Sequence, residues 1–187
     1  LPDDRIVLVQ NVGDNIAGYA YELETNGTLV PLMGGVPGLA LSLQTNASQT
    51  TRGAMLFSNR FILSARASAD TSIITLPIRT TAEKCVWGPG TKPIAYCAVP
   101  QVLQGGNALG MWFRGETHSA DTWWKVDVNA GRAELLYAPE GALQLDVEKP
   151  IIDPKGEYVA FMNAVDKSLW LLRISDLSAK GSPRPAE

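Results

Sequence analysis

Few side chains in this sequence could do chemistry, and they bound what it can catalyse. His118 is the only histidine, so a Ser-His-Asp hydrolase would have to be built around it. No Gly-x-Ser-x-Gly elbow accompanies it, and the chain is too short to hold an α/β-hydrolase domain beside its repeats. Within Glu116-Thr117-His118-Ser119 it reads as a surface or strand-end residue. Cys85 and Cys97 are the only cysteines. Two thiols and one distant histidine fall short of the four ligands of a structural zinc site. No metal and no cofactor is expected. The cysteines do flank Thr91 symmetrically, which in a hairpin makes them cross-strand neighbours with Cβ atoms about 4.5–5.5 Å apart, close to disulfide reach. That symmetry predicts a disulfide, with two buried free thiols as the alternative.

Asp121, Asp127, Asp146, Asp153 and Asp166 recur through the second half. Paired carboxylates roughly 5–10 Å apart could hydrolyse a glycosidic bond. Asp153 and Asp166, however, fall in turn sequences where an aspartate accepts hydrogen bonds from its own backbone neighbours. No catalytic residue is assigned on this reading. Binding chemistry has a better candidate in Leu109-Gly110-Met111-Trp112-Phe113-Arg114-Gly115. Trp112, Phe113 and Arg114, set between glycines, are of the types most enriched at binding hot spots; the alternative is that Trp112 and Phe113 fold back to plug the blade edge or belong to an extra strand.

The elements that must position these residues repeat. Trp87-Gly88-Pro89-Gly90-Thr91-Lys92-Pro93-Ile94-Ala95-Tyr96 and Ile152-Asp153-Pro154-Lys155-Gly156-Glu157-Tyr158-Val159-Ala160-Phe161 both place a Pro/Gly turn before a short β-rich run. Each is followed by a tryptophan-bearing strand, at Trp124-Lys125-Val126 and at Trp170-Leu171-Leu172. The runs lie 65 positions apart, 94 to 159, and the tryptophan strands 46 apart, 124 to 170. The difference of 19 predicts an insertion at about 98–120, where Gly105-Gly106-Asn107 marks an irregular loop. An older copy aligns Met55-Leu56-Phe57 with the same run, and Asn26-Gly27 signals a tight hairpin farther upstream. Tyr158 to Met162 is apolar on both faces, as a strand covered from both sides should be. No segment carries a sustained helical period, so helix is expected to be nearly absent. Trp87, Trp123, Trp124 and Trp170 are expected in the packing between sheets.

The predicted fold class is therefore all-β: a β-propeller or partial propeller of about four recognisable four-stranded antiparallel blades, near 5–32, 36–77, 82–138 and 143–175 within 1–177. Residues 178–187, rich in Ser, Pro and charge, are expected to be a disordered tail. The chain has 187 residues, 45% hydrophobic and 19% charged, with a formal charge of −3. It is ordinary globular material, without the basic field that nucleic acid would require. No apolar run approaches the ~18 residues of a membrane span. The start at Leu1 suggests a mature product or an excised fragment, so the rest of a longer chain is itself a candidate partner.

Pro154-Lys155-Gly156, then Tyr158-Val159-Ala160-Phe161 and Ser168-Leu169-Trp170, resembles the "S-P-D-G-x-x-I-A-F … L-W" blade of WD40-like, TolB-like propellers. Lys84-Cys85-Val86-Trp87, Tyr96-Cys97-Ala98-Val99-Pro100, Trp112-Phe113-Arg114-Gly115 and Asp121-Thr122-Trp123-Trp124-Lys125-Val126-Asp127 resemble envelope propeller proteins of small-genome uncultured bacteria. The resemblance covers about 38–174. It implies an extracytoplasmic, surface location, which would favour the disulfide, and carries over no catalytic residues. The function expected is a non-enzymatic binding or scaffolding module for a protein or surface ligand in a cell-envelope protein. The alternative is a propeller hydrolase acting on glycans or peptides.

Overall fold

The computed structural model describes residues 6–10, 12–44, 53–68, 71–103, 105–140 and 143–175. The expected tail at 178–187 lies outside them. The described chain forms four antiparallel sheets, each a meander whose strands pair in sequence order. The first contains β1 (Ile6–Val9), β2 (Ala17–Leu23) and β3 (Leu29–Pro37). The second contains β4 (Ala40–Leu43), β5 (Met55–Asn59), β6 (Ile62–Arg66) and β7 (Ile74–Arg79). The third contains β8 (Cys85–Trp87), β9 (Ile94–Pro100), β10 (Asp121–Asp127) and β11 (Arg132–Tyr137). The fourth contains β12 (Val147–Ile152), β13 (Tyr158–Asn163) and β14 (Leu169–Arg173). The three runs aligned in the sequence fall on β5, β9 and β13, each the second strand of its sheet.

Period-two alternation explains how these sheets stack. In β10 the neighbours Trp123 and Trp124 point to opposite faces, as successive strand residues must. Trp124, Val126, Ala95, Cys85 and Cys97 face the second sheet, where Leu56, Leu63, Ala65, Leu76 and Ile78 complete one core cluster. Trp123 and Ala98 face the fourth sheet and meet Val147, Val159 and Phe161 in another. Trp123 is fully buried, its ring centroid 5.4 Å from that of Phe161. The first sheet closes on the second where Gly18 passes Leu39. A Cβ on Gly18 would lie 2.6 Å from the Leu39 Cβ, so only glycine allows this approach.

Cys85 and Cys97 are paired directly in the β8–β9 register, Cα atoms 4.1 Å apart, and lie at disulfide distance. The insertion between β9 and β10 spans 101–120 and holds the α-helix of the described residues, α1 (Ala108–Phe113). The first strands β4, β8 and β12 approach one another along one side. They border an open cleft of about 630 Å³ whose lining includes Leu41, Cys85, Phe113, Glu148, Lys149 and Lys167. No helix among the described residues is long and apolar enough to cross a membrane.

Candidate functional site

Among the described residues, a dense polar arrangement lies where the insertion meets the third and fourth sheets. Lys84 ends a single 3₁₀ turn, Ala82–Lys84, that leads into β8. Its side chain is 2% exposed. Its Nζ donates to Asp121 Oδ2 at 2.6 Å, Asp146 Oδ1 at 2.6 Å and Ser119 Oγ at 2.8 Å. Both carboxylates are fully buried. Asp121 opens β10, and its Oδ2 also accepts the Val147 N–H of β12 at 2.9 Å. Asp146 immediately precedes β12 and receives its own backbone support from Asn163 Oδ1, which accepts the Asp146 N–H at 2.9 Å. The cluster thus stitches the third sheet to the fourth.

Asp146 is also where the insertion is tied down. Trp112 Nε1 donates to its two oxygens at 2.9 and 3.1 Å, and Ser119 Oγ donates to Oδ1 at 2.9 Å. His118 Nδ1 lies 3.0 Å from Oδ2, which places the shared proton on Nδ1 because the carboxylate can only accept. The Trp112 ring stands over Lys84, its centroid 4.8 Å from Nζ. Burial acts to raise the Asp146 pKa. Attraction to Lys84 and hydrogen bonds from Lys84, Trp112 and His118 together outweigh it, holding the carboxyl below its ordinary value.

At its other end α1 is held by Asp14, from the β1–β2 connection. Asp14 Oδ2 accepts the Leu109 N–H at 2.8 Å and the Gly110 N–H at 3.3 Å. Asn107, the local cap position, makes no capping hydrogen bond through its side chain. A six-residue helix without a cap is marginal on its own; here two aspartates from distant sheets supply what its sequence does not.

Trp112, Phe113 and Arg114 are brought together at the end of α1 and play different parts. Trp112 is half-buried and anchored through its indole N–H. Phe113 is half-buried, lines the cleft, and packs at 5.3 Å from the Trp112 ring. Arg114 is exposed and forks onto Glu116 at 2.6 and 2.9 Å. His118, read from the sequence as a surface or strand-end residue, lies three residues before β10 with its ring engaged by buried Asp146. Sequence reasoning gave Lys84, Ser119 and Asp14 no part in a site. The usable signal was a charge placed directly before each apolar run: Lys84 before β8, Asp121 at the head of β10 and Asp146 before β12.

Chemically this arrangement acts as a brace between sheets. The Asp146–His118 pair would orient an imidazole as a general base, but the adjacent Ser119 hydroxyl sits between Lys84 and Asp146. Asp121 and Asp146 share one ammonium and offer no open pair to a glycosidic bond. The cavity beside His118, walled by Phe61, Pro100, Leu103 and Trp112, is about 40 Å³, room for water rather than for a substrate. Among the described residues no group of three or more His, Cys, Asp or Glu side chains is placed to hold a metal. No protein-family model matches the chain, and no curated protein matches it significantly.

Proposed function

We propose that the chain is a β-propeller, or an arc of one, of the WD40-like, TolB-like kind, and that it serves outside the cytoplasm as a non-enzymatic binding or scaffolding module. Its recognition edge is Phe113 and Arg114, with Trp112 as the anchor beneath them. The observation that carries this reading is the bracing of the insertion: a helix the sheets do not need is latched at both ends by buried carboxylates. Such fixing holds the aromatic–arginine edge rigid beside the cleft, and binding groups on a rigid scaffold lose little entropy when they engage a partner. Meanders of which three place their first strands, β4, β8 and β12, around a common cleft support the propeller architecture. The Cys85–Cys97 pair suits an oxidising compartment. Engagement of both buried carboxylates by Lys84 weighs against the hydrolase alternative.

The test is an array of cell-envelope glycans and peptides probed with the native chain and with Phe113→Ala/Arg114→Glu. Binding that the double variant loses, at unchanged thermal stability, is the expected result. Binding indifferent to the substitutions, or turnover of a glycan or peptide, overturns the reading.

A further inference from the structure

The junctions joining the second, third and fourth sheets are apolar on both faces, yet the outward faces of the first and fourth sheets are open. On the first sheet Ile6, Leu8, Tyr19 and Leu29 point away from the second sheet and are 42 to 54% exposed. The pairings Ile6 with Leu23, Leu8 with Tyr21 and Leu23 with Leu29 put them on one face. On the fourth sheet the inner side chains Val159, Phe161, Trp170 and Leu172 pack toward Trp123. Ile151, Leu169 and Leu171 face outward at 65 to 74% exposure. Ile151 and Leu171 flank Ala160 from either side, and Leu169 pairs with Met162, so these residues form one apolar patch with Glu148 and Arg173 at its rim. Strands apolar on both sides belong between sheets.

We infer that a second copy of this chain covers both faces, the fourth sheet of each copy packing on the first sheet of the other. The inference rests on the propeller reading. One molecule carries both halves of the missing junction at opposite ends of its stack. A two-fold pair therefore satisfies four faces with two identical contacts and closes on itself instead of growing into a fibre. Four sheets from each copy make eight, within the span of about four to eight blades at which propellers close. The area is of the order a dimer needs. Three strands ~4.8 Å apart and about five residues long at ~3.3 Å each give a face of roughly 240 Å² in flat projection. Four such faces amount to about 1,000 Å² before side-chain relief is added, and stable interfaces begin near ~1,200 Å².

Sedimentation velocity and light scattering on the native chain decide the matter. Twice the monomer mass of 20.1 kDa is expected at tens of micromolar; a monomer there overturns the inference. Leu171→Glu and Leu8→Lys should each lose the dimer while keeping the native far-UV spectrum. Mixing the two should restore it, because one junction is then native and the other pairs Glu with Lys. Leu169→Glu with Ile6→Lys repeats the test if either first variant misfolds. A dimer that survives Leu8→Lys would be joined fourth sheet to fourth sheet and also overturns the arrangement. A monomer whose ligand binding still depends on Phe113 and Arg114 sinks the second copy alone; a dimer indifferent to those residues sinks the binding edge alone.

Discussion

Lys84 is one ammonium serving two buried carboxylates, and the partners lie 37 and 62 positions away along the chain. Removing the cation while leaving the anions costs far more than the pair contributes, because the carboxylates cannot recover their hydration. Lys84→Met should therefore destabilise by roughly 3–5 kcal/mol in urea denaturation, and adding Asp121→Asn and Asp146→Asn should recover part of the loss. The acid response follows from Asp146, whose carboxyl is held below its ordinary value in the folded protein. Its stabilisation is complete above the unfolded aspartate pKa of about 3.9 and is lost as pH falls through the lower folded value. The native midpoint should thus fall below about pH 4, and Asp146→Asn should flatten that fall. At this scale the sequence was readable only where partners are local. Asp153 is the turn residue its neighbours suggested, its two oxygens accepting the N–H groups of Lys155, Glu157 and Tyr158. Asp121 and Asp146 meet their partner Lys84 only through the fold, and nothing beside them in the chain names it.

Strands and turns were legible for a physical reason: period-two alternation and turn chemistry are local. Asn26-Gly27 is the hairpin expected, with Gly27 at φ +84° and Asn26 Oδ1 accepting the Thr28 N–H at 2.7 Å. Trp124 and Trp170 occupy equivalent third strands and bond the hydroxyl two residues back, Thr122 and Ser168, at 2.9 and 2.7 Å. Both are half-buried, however, while Trp123 is wholly enclosed. Trp123→Ala should cost about 3–5 kcal/mol, more than either of the others, since only there is the whole cavity lined by close-packed neighbours. Equal denaturant midpoints for the three alanine variants would contradict that order. A bond between Cys85 and Cys97, which lie at disulfide distance, closes a loop with a sequence separation of 12. Loop closure of that length corresponds to roughly 3 kcal/mol, so reduction should lower stability by about 2–4 kcal/mol. Two thiols recovered by peptide mapping after oxidative refolding would remove the bond from the account. The helix escaped the sequence reading because six residues carry no period to detect and its supports are far away.

Among the described residues α1 is tied to connections that belong to all four sheets. It belongs to the insertion of the third, takes its cap from Asp14 beside the first, and ties into Asp146 at the fourth. It also presses Leu109 against the β3–β4 corner of the second, where a Cβ on Gly38 would come within 3.1 Å of the Leu109 side chain. A marginal helix held at two ends should respond to its two latches as one unit rather than as independent contacts. Asp14→Ala removes the acceptor for Leu109 and Gly110 and should cost about 0.5–2 kcal/mol, with loss of hydrogen-exchange protection at those two amides while the β9 and β13 amides keep theirs. Trp112→Phe keeps the ring over Lys84 but deletes the hydrogen bond to a charged acceptor, a loss of about 1.5–3 kcal/mol. Once either latch is open, the helix has less to lose from the second. The double variant should therefore fall short of the summed losses by at least ~0.5 kcal/mol, the coupling expected of residues that share one element. Additivity within that margin would mean that packing of Leu109 alone holds α1, and the aromatic–arginine edge would then lose its rigid support.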